Sequence, residues 1–367
     1  MQADHFASRI ERRPTRTIRL GNLVIGGDAP ISVQTMTKTD TRDVDATVSQ
    51  LHEVSNAGCD IVRLAVVDMD AAGAMAEIAR QSPVPLVADI HFDHKLALRC
   101  IESDVSGLRI NPGNIGGREN VAKVVDAAKE RNLPIRIGVN SGSLEADIRE
   151  KHGGSTPGAL VESAMGHVRI LEDLGYHEIK ISVKASDVWR TLDAYRLLSQ
   201  ETDYPVHLGV TEAGTMLAGT VRSSVAMGML LSEGIGDTIR VSLTDNPVTE
   251  VRVGLELLRC LGLREPGPNV ISCPTCGRCQ VDVAAVCASV ETALEALYRE
   301  APDLPRPSVA VMGCMVNGPG EAKDADIAIA GGRGKFALYV RGDHKSTLDE
   351  NKAVDALLYE VRQWGRE

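Results

Sequence analysis

Cys273, Cys276 and Cys279 fall within seven residues, in the run Cys-Pro-Thr-Cys-Gly-Arg-Cys. Proline and glycine at that density exclude a regular helix or strand, so the run is a tight loop with its thiols turned to one side. A loop of this kind holds a zinc ion or an iron–sulfur cluster. A second stretch must come back to meet it: Gly313-Cys314-Met315-Val316-Asn317-Gly318-Pro319-Gly320-Glu321. Structural zinc usually takes two such cysteine pairs, or one pair plus a histidine pair. Here there is one group of thiols, Cys314 stands by itself, and the next histidine downstream is His344. The spacing favours a cluster over zinc. Taken alone, the Cys314 loop reads as a glycine turn after a buried strand, with a small core thiol.

A second set of reactive residues lies on strand-like segments. Arg63, Arg109, Arg136, Lys180, Lys184 and Arg240 each sit inside a short apolar run, where a buried parallel strand should be apolar. Side chains two apart share a face of a strand. Asp89 with His91, Arg109 with Asn111, and Arg240 with Ser242 therefore line one side near the strand's end. One such arginine could be scaffold, paired with a buried acid. Cations on five strands are harder to explain that way, because each costs several kcal/mol to bury unpaired. Asp89 is the one obvious acid among them, so the missing negative charge belongs to a ligand. Arginine forks fit phosphate oxygens, and the expected ligand is a small, multiply charged phosphate ester or diphosphate. Asn140 and the following Ser-Gly-Ser add amides and hydroxyls. His207 and Glu212 are placed at the end of the seventh strand. Glu212 is a candidate proton donor or orienting group, with arginine pairing as its bland role.

The elements that must carry these residues alternate regularly. Strand patterns over Ile31–Met36, Ile61–Val66, Leu86–Ile90, Gly107–Asn111, Ile135–Val139, Glu178–Val183, Val206–Val210 and Thr238–Leu243 are separated by amphipathic helical patterns. Eight strand–helix units over roughly 230 residues predict a (β/α)8 TIM barrel, in which residues at the C-terminal ends of the strands form the site. An open doubly wound sheet is the competing fold, but no G-x-G-x-x-G run appears. Two prolines around Gly267 read as a stiff linker. The domains are drawn at 1–262 and 263–367, the second a small α+β unit. Met1 to Arg19 reads as an exposed arm leading into the first strand, not as a targeting segment.

Apolar content of 43% supports a full core in this 367-residue chain, and no apolar run approaches a membrane span. A formal charge of −10 argues against general nucleic-acid binding and makes a local group of cations more telling. Eight cysteines without a secretory signal point to a reducing compartment, the cytoplasm. Cys59, Cys100, Cys260 and Cys287 fall in helical or core patterns and read as inert small hydrophobes.

Taken together the chain resembles the bacterial flavodoxin-dependent 4-hydroxy-3-methylbut-2-enyl diphosphate synthase family. The resemblance is carried by Val33-Gln34-Thr35-Met36-Thr37, by Ala88 to Asp93 (Ala-Asp-Ile-His-Phe-Asp), and by Leu108 to Gly116 (Leu-Arg-Ile-Asn-Pro-Gly-Asn-Ile-Gly). Ile181 to Ser186, Ile271 to Arg278, and Asn317 to Glu321 complete it. It implies a barrel plus a cluster domain like that of sulfite and nitrite reductases. It also implies a [4Fe–4S] cluster on Cys273, Cys276, Cys314 and Glu321, which leaves Cys279 spare. A carboxylate ligand is displaceable, which would free one iron for substrate. The implied reaction is reductive opening of 2-C-methyl-D-erythritol 2,4-cyclodiphosphate with loss of water. Its electrons would come from reduced flavodoxin or ferredoxin, since no nicotinamide or flavin fingerprint is present. Arg63, Arg109, Arg136, Lys184 and Arg240, with Asn111, Asn140 and Ser242, would hold the diphosphate, and Glu212 would protonate the departing hydroxyl. Family members are homodimers in which one chain's cluster domain caps the other's barrel. Two other classes stay open: a non-redox iron–sulfur hydro-lyase, and a phosphate-binding barrel with structural zinc.

Overall fold

The computed structural model describes residues 10–111, 113–265, 267–314, 320 and 324–365. Two compact units divide the chain, residues 1–264 and 265–367.

The first unit opens with a hairpin, β1 (Ile18–Leu20) against β2 (Leu23–Ile25). Its two-residue turn, Gly21-Asn22, needs a positive φ at the glycine, which has φ 60°. The expectation of an exposed arm is therefore corrected from Ile10 onward. Ile18, Leu20 and Ile25 are buried with Ile61 and Val87, so the hairpin closes the floor of the barrel. Arg12 reaches Asp237, and Arg13 donates to the carbonyls of Thr202 and Tyr204, fastening the approach to the hairpin.

The barrel follows as β3 (Ser32–Met36), β4 (Ile61–Val66), β5 (Leu86–Ile90), β6 (Gly107–Ile110), β7 (Ile135–Asn140), β8 (Ile179–Lys184), β9 (His207–Leu208) and β10 (Thr238–Ile239). The strands pair in parallel in the order β8-β7-β6-β5-β4-β3-β10-β9. A bridge from Ile181 to Val206 closes the ring between β8 and the start of β9. The predicted barrel is thus the observed one. Its last two strands are shorter than the sequence pattern suggests. Gly209 explains part of this: a Cβ there would meet the Arg240 carbonyl at 2.7 Å, a closer approach than a regular ladder makes.

Eight long helices pack outside: α1 (Val44–Asn56), α2 (Met69–Gln81), α3 (His94–Ile101), α4 (Arg118–Arg131), α6 (Pro157–Asp173), α7 (Val188–Glu201), α8 (Met216–Ser232) and α9 (Pro247–Cys260). The short α5 (Ala146–Lys151) precedes α6. Their starts are written in the sequence. Asp43, Asp68, Asp93, Thr156, Asp187 and Asn246 each accept a backbone N–H of the first turn. Asp68, Asp93 and Asp187 follow their strands by two or three residues, Asp43 and Asn246 by seven, and Thr156 comes only after α5, so the caps fix where the strand-end loops stop. Arg264, at the start of the expected linker, is bonded back to Asp60 and the Ile31 carbonyl.

The second unit is a mixed sheet, β11 (Val270–Ser272), β12 (Val309–Met312), β13 (Ile327–Gly332), β14 (Lys335–Val340) and β15 (Asp343–Asp349) in that spatial order. Helices α10 (Val283–Glu300) and α11 (Glu350–Gln363) bury Val290, Leu294, Leu357 and Val361 against Val309, Val311 and Ile327. Strand β15 was not expected. It is mostly exposed and polar, an edge strand without the apolar alternation that marks a half-buried one. Cys59 and Cys100 are buried as expected, whereas Cys260 is exposed at the end of α9 and is not a core residue.

Candidate active site

In the barrel the inward positions are polar along most strands. Lys180, Ser182 and Lys184 alternate on β8, and Arg136 and Asn140 flank Gly138 on β7. Nine of the predicted residues line one cavity of about 170 Å³: Arg63, Asp89, His91, Arg109, Arg136, Asn140, Lys184, Arg240 and Ser242. Ser182 and Thr211 complete its wall. Both were missed, although Ser182 stands in phase between the two lysines.

Asp89 organises one side. Arg109 Nη1 donates to Asp89 Oδ1 at 3.1 Å, and Arg63 Nε lies 3.5 Å from Oδ2. His91 Nε2 accepts from Arg109 Nη1 at 2.6 Å. Arg109 Nη2 reaches across to the Gly138 carbonyl at 3.1 Å. Gly138 is what makes that crossing possible, because a Cβ there would stand 2.7 Å from Arg109 Nε. Gly209 does the same for the Lys184 ammonium, 2.6 Å from its would-be Cβ. Arg63 also points Nη2 at the Met36 sulfur, 3.0 Å away.

Glu250, on α9, is a site acid that the strand patterns could not reveal. It is 1% exposed, accepts the Thr35 hydroxyl at 2.7 Å and the Leu243 amide at 3.0 Å, and lies 3.6 Å from Arg240. Lys38 stands 3.7 Å from it. Among the described residues, five cations that line the cavity thus face two carboxylates, Asp89 and Glu250.

Electrostatics register the imbalance. Burial opposes ionisation of Asp89, yet Arg63, His91, Arg109 and Arg136 hold its carboxyl below the ordinary range. Burial pushes Arg63 down to about 10 despite Asp89, with Arg240 and Arg109 acting the same way. Burial and then Arg136, Arg240, Arg63 and Arg109 push Lys184 well below its ordinary value. These cations repel one another in a desolvated space, and an anionic ligand reverses that penalty.

Two predicted residues stand apart from the cavity wall. Asn111 is buried, and its Oδ1 caps the turn after β6 by accepting the Gly113 amide at 3.1 Å. Glu212 is exposed on the loop after β9, one residue beyond Thr211. Its backbone is left-handed at φ 53°, as is that of Phe92 at φ 66° after β5. Such conformations cost of order 1–3 kcal/mol and concentrate at functional sites. His207 is corrected: it begins β9, is fully buried, and pairs Nδ1 with the Thr238 hydroxyl at 2.8 Å, below the mouth.

In the second unit, parallel register places Ser272 beside Val311, so the loops after β11 and β12 leave the sheet together. The Gly313 amide donates to Cys273 Sγ at 3.2 Å, and the Gln280 amide donates to the Gly313 carbonyl at 3.1 Å. A Cβ on Gly313 would meet Cys279 Sγ at 2.5 Å. Cys276 is exposed, and the amide and side chain of Arg278 pull its thiol below the ordinary value. Arg278 is raised in turn by its bond to Cys276 and by the charges of Cys276 and Cys314. Cys273 and Cys279 both lie against Gly313, 3.4 and 2.5 Å from its would-be Cβ, so the two loops bring thiols together, and thiolate character is favoured at Cys276. Among the described residues no three donors gather as around a single ion. A cubane cluster spaces its thiolates more widely, one to each iron, and the thiols on these two loops offer the soft donors such a group takes. Glu321, the expected fourth ligand, lies outside the described residues.

A closed parallel barrel with a cation-lined mouth, followed by an α+β unit that gathers thiols on two neighbouring loops, defines a two-part barrel protein. The chain belongs to the GcpE family: the GcpE TIM-barrel domain matches residues 15–255 and the GcpE protein C-terminal domain matches residues 269–363. It is 57% identical to a Geobacter sulfurreducens protein over 95% of this chain and 97% of that one. It is 54% identical to a Desulfotalea psychrophila protein over 96% of each. A Clostridium perfringens protein is 53% identical over 95% of this chain and 98% of its own. All three carry the name 4-hydroxy-3-methylbut-2-en-1-yl diphosphate synthase (flavodoxin). Among solved structures, the Yersinia pestis dihydropteroate synthase overlays with a TM-score of 0.48 at 12% identity, over 67% of this chain and 96% of that one. That likeness is too loose to carry an argument. Among the described residues no helix is long and apolar enough to cross a membrane.

Proposed function

We propose that this chain is a flavodoxin-dependent 4-hydroxy-3-methylbut-2-en-1-yl diphosphate synthase. It opens 2-C-methyl-D-erythritol 2,4-cyclodiphosphate reductively, taking up two electrons and two protons and releasing water and the allylic diphosphate. The observation that carries this reading is the excess of cations over carboxylates in the barrel cavity. Arg63, Arg109, Arg136, Lys184 and Arg240 bind the diphosphate, and Asn140 and Ser242 orient it. Asp89 and Glu250 hold Arg109 and Arg240 in place. Asn111 acts through the turn it caps. Glu212, strained at the mouth, delivers a proton to the departing hydroxyl. His91 reports to the substrate through Arg109.

Cys273, Cys276, Cys314 and Glu321 hold a [4Fe–4S] cluster in the second domain, residues 263–367, and residues 1–262 form the substrate domain. When bound, the cluster supplies the two electrons one at a time. Reduced flavodoxin is the donor, with ferredoxin as a substitute. The working form is a cytoplasmic homodimer.

A Mössbauer spectrum of iron-57-labelled, anaerobically purified protein tests the ligand set. Four irons with one distinct from the other three is the expected result. Four equivalent irons would move the fourth ligand to Cys279. Turnover of the cyclic diphosphate without any reductant would instead support a non-redox hydro-lyase.

A further inference from the structure

Beneath the substrate cavity lies a second, small space of about 10 Å³, lined by Gln34, Arg136 and Lys180 with Leu20, Val87, Leu108 and Pro134. A space of that size admits one small particle. Its polar atoms have no partners. Lys180 Nζ, Arg136 Nε and both amide atoms of Gln34 are buried and unbonded. The three residues are only 2%, 4% and 1% exposed. Native proteins seldom leave buried cations and amides unsatisfied, since each such group costs roughly 1–3 kcal/mol and more when charged.

The chemistry of the missing partner follows from counting donors and acceptors. Among the side chains that line the space, protonated Lys180, Arg136 and the Gln34 amide nitrogen only donate, and Gln34 Oε1 accepts. A water molecule would accept two of these bonds but needs two acceptors for its own hydrogens. It would also leave two positive charges uncompensated. The carboxylate acting on Lys180 is Asp237, and its oxygens are already taken by Arg12, Thr15 and the Val206 amide. We propose that this lower chamber is an anion site that holds one monovalent halide, chloride under cellular conditions, between Lys180, Arg136 and Gln34. The floor hairpin lines it through Leu20. Arg136 belongs to both chambers, because its Nη1 donates upward to Ser182 at 2.9 Å. An ion below therefore fixes the arginine that the diphosphate meets above, and does so without an acid that would cancel the charge of the upper cavity.

The test is diffraction from crystals of the anaerobically purified holoenzyme grown with bromide, read at the bromine absorption edge. An anomalous peak in contact with Lys180 Nζ, Arg136 Nε and Gln34 Nε2 is expected. A water-sized peak without anomalous signal, or an empty chamber, overturns the proposal. In parallel, the Tm of the holoenzyme is compared in bromide and in gluconate at matched ionic strength. Tm should rise with bromide in the wild type, and the rise should vanish in Lys180→Met. An equal rise in both proteins would also overturn it. If the variant does not fold, the crystallographic result decides.

Discussion

Asp89 and Arg109 stand in register on adjacent parallel strands, and the guanidinium bonds the carboxylate at 3.1 Å while its other arm reaches the Gly138 carbonyl on the strand at its other side, also at 3.1 Å. One acid thus aims a cation that ties three neighbouring strands together at the cavity wall, and Gly138 leaves room for it. Position, more than charge count, decides what the cavity can hold.

Removing the acid strands its partners. Asp89→Asn is expected to lower unfolding stability by about 3–5 kcal/mol, the usual cost of breaking a buried pair. Because the folded carboxyl is held below its ordinary value of 3.8, its contribution is complete above that value and is lost as the pH falls through the lowered one. The deficit should be equal at pH 6 and pH 8 and shrink only in acid. Urea titrations at several pH values check this; a deficit that varies between pH 6 and 8 would point to another group.

Gly138→Ala tests the arm that reaches the neighbouring strand. The backbone tolerates alanine, since its φ is not among the positive ones, but the new methyl would stand 2.7 Å from Arg109 Nε. Displacing a positioning cation by about 1 Å can cost about 100-fold in kcat/KM. Steady-state kinetics should show that loss with little change in Tm. Full activity would mean that Arg109 keeps its place without the bond to Gly138.

Lys184→Met should raise KM for the cyclic diphosphate roughly 10- to 100-fold, as loss of one buried charge-assisted contact worth about 1.5–3 kcal/mol implies. Pyrophosphate binding to the same variant, followed by calorimetry, should weaken in parallel. An unchanged KM would take Lys184 out of the ligand's reach.

Lys180 gives a slope of the same sign as Asp89, in a far higher pH window. Burial, then Arg136, lowers it to about 7 against Asp237, from an ordinary 10.5, and His207 faces it from the neighbouring side. Between those two values the unfolded chain binds the extra proton, so stability in halide-free buffer should climb as the pH rises from about 7 toward 10.5. Below about 7 the penalty is complete. Lys180→Met should flatten the climb, and denaturation midpoints at pH 6.5 and 9 measure it; the same climb in both proteins would assign it elsewhere.

Glu321→Cys should keep the cluster, as iron and sulfide analysis would show, and lose most turnover. Unchanged turnover would argue against a displaceable ligand.

The sequence showed most of this architecture because period-2 alternation and helix caps are local. Arg63, Arg109, Arg136 and Arg240 announced themselves as charges inside apolar runs. Depth was not legible. His207 and Glu212 sit on one strand pattern, yet one is buried at the strand's start and the other exposed beyond its end, because the stagger of a barrel is set by all its strands. Glu250 escaped notice because it lies on a helix and turns inward. The Gly21-Asn22 turn between two apolar triplets was a visible hairpin signal, hidden by the arginines before it.

That hairpin also governs traffic. With the floor shut by Ile18, Leu20 and Ile25, a molecule in the upper cavity can leave only by the mouth it entered. Product and substrate must then take turns at one doorway. The allylic diphosphate should accordingly act as a competitive inhibitor, and its departure sets a ceiling on how fast the next ring can enter.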